Sequence, residues 1–147
     1  MKRILLTGST GYLGSYIAKE LQKRSCFFRA IARNPEKLKQ NEIEANEVIK
    51  AELTDPDSIR ECCKGIDVVI STVGITRQKD GLAYMDVDYC IVRPNGFFSD
   101  MSEFFNMAKK GRVYLFGNGE LRTNPIHGED LAIVCVDAID KPAKEVE

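Results

Sequence analysis

Residues 7–14 read TGSTGYLG, which sets Gly8, Gly11 and Gly14 three apart. An apolar run precedes them, and Leu13, Tyr16, Ile17 and Leu21 follow at helical spacing, so a buried strand should turn through the glycines directly into an amphipathic helix. Few folds accommodate that order. Glycine lets the chain reverse sharply, lets a backbone approach a bulky anion without a Cβ in the way, and lets strand and helix pack closely. The first helical turn then presents unpaired N–H groups and the positive end of the helix dipole, which attract phosphate. The candidate cradle consists of Thr7, Gly8, Ser9, Thr10, Gly11, Tyr12, Leu13 and Gly14.

The remainder of the first half alternates short apolar runs with amphipathic segments, as βαβ units do when helices cover a parallel sheet. Strands are predicted over residues 3–6, 27–31, 47–51 and 67–71. Asn34 before Pro35 reads as an N-cap with proline at the first helical position, and the helix should run through Leu38. Asp55 and Pro56 repeat the signal, Ile59, Cys62 and Cys63 supply an apolar face, and Gly65 can take the left-handed conformation that ends a helix. Residues 76–81 are polar and read as a surface loop at the strand's carboxyl end, where ligands usually lie. Further on, residues 90–93 read as a fifth strand, 100–109 as a helix, 113–116 as a strand and 117–119 as a turn. His127, Gly128, Glu129 and Asp130 introduce a last helix, marked by Leu131, Val134, Cys135 and Ala138. The expected class is α/β, a Rossmann-like three-layer sandwich with a mostly parallel sheet, abbreviated after the fourth strand. Residues 1–147 are expected to form a single domain, with 1–74 as its nucleotide-binding half and 89–140 as the remnant of a substrate-side half.

Composition narrows the choice of partner. Lys and Arg number 21 against 22 Asp and Glu, so no excess of one sign recommends nucleic acid or a membrane surface. No apolar run reaches the roughly 18 to 20 residues needed to span a bilayer. The five cysteines lack metal-ligand spacing, and an odd count with no signal peptide points to reduced thiols in the cytoplasm. His127 is the sole histidine, which leaves little material for a metal centre or a Ser/His/Asp triad, and no metal is expected.

The spacing T-G-x-x-G-x-x-G resembles that of short-chain dehydrogenases/reductases (SDRs). The segment ARNPEKL at 32–38, the polar turn ELTDP at 52–56 and STVG at 71–74 together resemble the atypical members that include the nitrogen-metabolite-repressor-like (NmrA-like) proteins. The resemblance covers most of the chain and implies binding of a nicotinamide dinucleotide. It places Glu52 and Leu53 beside the adenine ring, and Ser71, Thr72, Val73 and Gly74 along the ribose and nicotinamide side. IVRPNGFF at 91–98 is similar to the family's Arg-Pro strand near the active-site mouth, and NPIHGEDLA at 124–132 to its I-H-x-x-D motif. Each segment also has a plain structural role, since Pro94 can stop a strand and residues 128–130 can cap a helix. For His127 packing outweighs direct chemistry.

In NAD-specific Rossmann domains an acidic residue about 20 positions beyond the glycines holds the adenosine ribose. Here the second strand ends in Ala32-Arg33-Asn34, and the guanidinium of Arg33 suits a 2′-phosphate. NADP(H) is therefore expected in preference to NAD(H). Two departures from the family bear on activity. No Tyr-x-x-x-Lys occurs, because the residues four beyond Tyr12, Tyr16, Tyr84, Tyr89 and Tyr114 are Tyr16, Glu20, Asp88, Arg93 and Asn118. A tyrosine with an ordinary pKa near 10 and no lysine beside it is a poor acid or base at neutral pH. Only residues 72–89 separate the fourth strand from the Arg-Pro segment, as if a helix, a strand and another helix had been removed, and the chain stops soon after the Asp130 helix. A crossover of that length could still bring the Arg-Pro strand beside the fourth strand. One sheet face would then lack helix cover, predicting a homodimer or swapped assembly. Three functions remain open: an NADP(H)-dependent oxidoreductase or nucleotide-sugar enzyme, a non-catalytic module that senses NADP(H), or an inactive truncated relative. The substrate is not legible.

Overall fold

The computed structural model describes residues 1–53, 55–73, 90–114, 117–118, 120 and 122–141. Four strands form one parallel sheet: β1 (Ile4–Thr7), β2 (Phe28–Ile31), β3 (Glu47–Ile49) and β4 (Val68–Ser71), in the order β3-β2-β1-β4. Leu5 stands opposite Arg29 on one side and Val69 on the other, and Thr7 opposite Ser71. The chain steps outward from β1 to β3 and then returns to the far side of β1, so the order reverses at the β1/β4 crevice. In open α/β sheets that reversal point, at the carboxyl ends of the strands, is where ligands bind.

The sheet's two faces bury different sets of residues, because successive side chains on a strand point opposite ways. Ile4, Leu6, Phe28 and Ala30 pack under three helices: α1 (Tyr12–Lys23) through Ile17, Ala18 and Leu21, α2 (Glu36–Gln40) through Leu38, and α5 (Gly128–Asp137) through Ala132 and Val136. Leu5 and Ile31 face the other way, onto Cys62 of α3 (Pro56–Cys62). The result is the expected three-layer α/β sandwich. The Asp55 cap reads true, its side chain accepting the Asp57 N–H (3.3 Å), and Gly65 has φ +69°. The helix after β2 starts one residue later than expected, with Pro35 rather than Asn34 at the cap position, while the Asn34 side chain accepts the Glu36 N–H (3.1 Å). A further helix, α4 (Phe98–Lys109), buries no residue, and a 3-10 turn (Ala138–Asp140) follows α5.

The second half departs from expectation. Residues 90–93 form no strand, and β4 has only β1 beside it among the described residues. A strand needs a ladder partner for its backbone groups, and Pro94 supplies no N–H to one. A single parallel bridge joins Phe97 to Ile126 instead. Val113 and Tyr114 also lie outside any strand and are exposed; Leu115, Phe116 and Gly119 fall outside the described residues, as does the loop expected over 76–81. No helix among the described residues is long and apolar enough to cross a membrane.

Away from the crevice, near the sheet's amino edge, Glu47 accepts hydrogen bonds from Arg29 (2.5 Å) and Arg3 (3.0 Å). Arg29 also donates to the Cys62 and Lys64 carbonyls, tying α3's end to the sheet. The Arg29 hydrogen bond holds the Glu47 carboxyl below its ordinary value, outweighing desolvation, with the charges of both arginines adding to the same effect. A carboxylate with a depressed folded-state pKa stabilises the fold above its unfolded pKa and ceases to do so as pH falls through the folded value. Glu47→Gln should therefore lower the urea midpoint at pH 7, and the gap to wild type should close on acidification below the ordinary glutamate range. A gap independent of pH would contradict this.

Candidate functional site

All four strands are parallel, so their carboxyl ends share one edge. That edge gathers Thr7 from β1, Arg33 just beyond β2, Glu52 and Leu53 beyond β3, and Ser71 at the end of β4 with Thr72 and Val73 just beyond it. Gly74 lies outside the described residues. Arg33 and Glu52 are exposed, and Leu53 packs partly against the Leu5/Ile31 cluster.

The glycine turn is built to close tolerances. Gly8 has φ +72°, and a Cβ there would sit 2.4 Å from Thr72 Oγ1. A Cβ on Gly14 would stand 2.0 Å from the Gly8 carbonyl oxygen and 2.9 Å from Thr72 Oγ1. No side chain fits at those separations, so these two glycines are required by packing. Gly11 is looser, with a Cβ position 3.3 Å from the Gly8 oxygen.

Two hydroxyls of the turn, those of Thr7 and Ser9, are engaged within the protein. Ser9 is fully buried and donates to the Ile31 carbonyl (3.0 Å), which fastens the turn to the end of β2. Thr7 Oγ1 bonds Ser71 Oγ (3.1 Å), joining β1 to β4. The Gly11 N–H donates to the Gly8 carbonyl (2.9 Å), so that amide is committed to the turn. The amides of Tyr12, Leu13 and Gly14, the first three of α1, have no acceptor among the described residues, because the first helical bond runs from the Ser15 N–H to the Gly11 carbonyl.

Electrostatics sets this helix start apart. Gly11 offers no capping side chain, and the first turn of α1 holds no acid. The other four α-helices among the described residues carry Glu36, Asp57, Asp100, or Glu129 with Asp130 in their first turns. Those carboxylates offset the local positive potential, whereas no side chain in the first turn of α1 does so.

An aromatic cluster not legible from spacing adjoins α1. Tyr12 meets Tyr16 edge-on at 5.3 Å and Phe97 at 5.2 Å, and Tyr16 meets His127 at 5.3 Å. Gly128 presses so closely on Tyr16 that a Cβ there would lie 2.6 Å from its ring. His127 Nδ1 accepts the Glu129 N–H (3.3 Å) as the N-cap of α5. The I-H-x-x-D segment thus packs α5 against the start of α1, and its histidine serves as a cap and a ring contact. Only the pairing of a lone glycine with tyrosines at i and i+4 could have hinted at it.

Comparisons with known proteins bear on the family and the fold. The family model described as NAD(P)H-binding matches residues 8–83. The chain is 28% identical over 83 residues to the uncharacterized protein y4nG of Sinorhizobium fredii, a match covering 54% of this chain and 20% of that protein. The chain spans about a fifth of the length of that curated relative. Among solved structures it is similar to a protein assigned as an epimerase from Bacteroides thetaiotaomicron (TM-score 0.63, 22% identity, 97% of this chain and 93% of that one). It is also similar to a protein assigned as an NAD-dependent epimerase/dehydratase from Bacillus halodurans (TM-score 0.60, 17% identity, 96% and 89%). A third is a metagenomic short-chain oxidoreductase in complex with NADP (TM-score 0.58, 17% identity, 99% and 94%). At these identities the solved structures show a shared fold.

Proposed function

The chain belongs to the NAD(P)H-binding family, and from that premise we propose that it binds NADP(H) in preference to NAD(H), with the diphosphate over the first turn of α1. One observation carries the proposal: α1 alone among the described helices has an acid-free first turn with no side-chain cap. The adenine would lie toward Glu52 and Leu53, and the nicotinamide side toward Ser71 and Val73. Residues 1–74 would serve as the nucleotide half and 89–140 as a substrate-side half of one domain.

The preference for the 2′-phosphate rests on Arg33, which is exposed beyond β2 and makes no ion pair with a described residue. Its guanidinium costs little to redirect onto a ligand. One charge-assisted hydrogen bond contributes about 1.5–3 kcal/mol, or roughly 10- to 100-fold in affinity. Arg33→Glu should weaken NADPH by about that factor in a fluorescence titration, which has no tryptophan background here, and leave NADH within about threefold. Equal losses for both would remove the argument for phosphate preference.

When bound, the cofactor would supply hydride chemistry of the SDR kind; this chain would bind and orient it. The sequence contains no Tyr-x-x-x-Lys to move a proton, which favours a second function, a non-catalytic module that senses NADP(H). Steady oxidation of NADPH with aldehydes, ketones or quinones would establish an oxidoreductase, and binding without turnover would establish the module or an inactive relative.

We also propose a homodimer or swapped assembly. Val69 on β4, Val73 just beyond it, and Phe98, Phe104 and Phe105 on α4 are exposed, and a second copy would rebury them. Light scattering at tens of micromolar should give a dimer mass; a monodisperse monomer would contradict it.

A further inference from the structure

Thr72 was expected along the ribose and nicotinamide side of the cofactor, but its hydroxyl is engaged elsewhere. Thr72 Oγ1 donates to the Thr7 carbonyl (2.9 Å), and the Thr72 N–H donates to the same oxygen (3.3 Å). That oxygen is the last carbonyl of β1 before the chain enters the glycine turn. A hydroxyl has one proton, and here it is spent inside the protein. The same Oγ1 is the atom that a Cβ on Gly8 would strike at 2.4 Å and one on Gly14 at 2.9 Å. Thr72 is half-buried, and its oxygen therefore occupies the gap that the first and third glycines leave between them.

Resting on the dinucleotide reading above, we propose that Thr72 is a positioning residue of the phosphate turn, with its pinned hydroxyl wedged between Gly8 and Gly14 so that the unpaired amides of Tyr12, Leu13 and Gly14 stay aimed at the diphosphate. Three contacts support the arrangement from the β4 side. Thr7 Oγ1 and Ser71 Oγ bond one residue earlier, and both Thr72 donors converge on the Thr7 carbonyl. The left-handed Gly8 is held by what lies across the β1/β4 crevice as well as by its own missing side chain. In consequence, Thr72 acts on the part of the ligand common to every dinucleotide and makes no distinction between phosphorylated and unphosphorylated ribose.

The test uses calorimetry with two ligands, NADPH and ADP-ribose, which keeps the diphosphate and lacks the nicotinamide. Thr72→Val removes the donor, Thr72→Ala removes it without the crowding a second methyl brings, and Thr72→Ser keeps it. Val and Ala should weaken both ligands by the same factor, about fivefold for one lost neutral hydrogen bond, and Ser should restore both. A loss for NADPH with ADP-ribose unchanged would overturn the proposal in favour of a nicotinamide-side contact. Unchanged affinity in folded Val or Ala variants, or a loss in Ser equal to theirs, would overturn it as well. A wild-type protein that binds neither ligand would instead sink the dinucleotide reading, and this proposal with it.

Discussion

Gly14→Ala is expected to abolish measurable NADPH binding, with an affinity loss of at least about 100-fold, and to destabilise the protein. Two effects of the substitution oppose each other. Alanine in a helix is favoured over glycine by about 1 kcal/mol, so on helix propensity alone the variant would be more stable than wild type. The new Cβ, however, would stand 2.0 Å from the Gly8 oxygen and 2.7 Å from the Gly8 carbon, both backbone atoms. Relief requires α1 to move off the turn, and overpacking of that kind typically costs about 1–3 kcal/mol. Sterics win, and the helix start that leaves carries its amides out of register with the turn. Gly11→Ala makes the contrast, since its Cβ meets the Gly8 oxygen at 3.3 Å and its φ of −82° suits any residue. That variant should fold normally and lose affinity only through the nearer approach of a methyl to the phosphate. Urea melts read beside calorimetry separate the two, and a Gly14→Ala protein that is more stable than wild type and binds within threefold of it would refute the packing argument.

Phe28→Ala should be the most damaging core substitution, at about 3–5 kcal/mol. Phe28 is 1% exposed, is among the largest fully buried side chains, and belongs to the cluster that joins α1, α2 and α5 to the sheet. Its strand partner Ile4 cannot fill the space without shifting β1. Domains of this size hold only about 5–15 kcal/mol in total, and a urea slope of about 2 kcal/mol per molar turns the loss into a midpoint about 2 M lower. Val69→Ala, on the same sheet but 53% exposed in a single copy, should change the stability of the monomer by no more than about 0.5 kcal/mol. At concentrations where the proposed assembly forms, the loss at Val69 should grow, because the second copy covers β4.

The first half was legible because its signals are local and agree with one another. Strands, caps and glycines between Ile4 and Ser71 each point to the same βαβ alternation, and the observed strand boundaries differ by one or two residues. The family and the fold, expected from TGSTGYLG and its kin, are shown by the family match and by the parallel sheet. Beyond that, sequence patterns mark a residue's character without its direction. Ser9 and Thr72 read as ligand contacts because they sit in the right motifs, yet both hydroxyls turn inward to backbone carbonyls. The Gly11 amide, counted in the cradle, closes onto Gly8. Residues 90–93 have the apolar character of a strand, but strand formation depends on a neighbour that no local pattern reveals. The packing of Gly128 against Tyr16 joins positions more than a hundred residues apart and leaves no periodic trace.

The most direct test is an amide NMR titration of the intact protein with NADPH. We expect the largest shifts at the backbone N–H signals of Tyr12, Leu13 and Gly14, with smaller ones near Arg33 and Val73, and a like pattern at the first three with ADP-ribose. Saturable shifts confined to another surface, or none at millimolar NADPH, would contradict the assignment of the α1 tip as the diphosphate site.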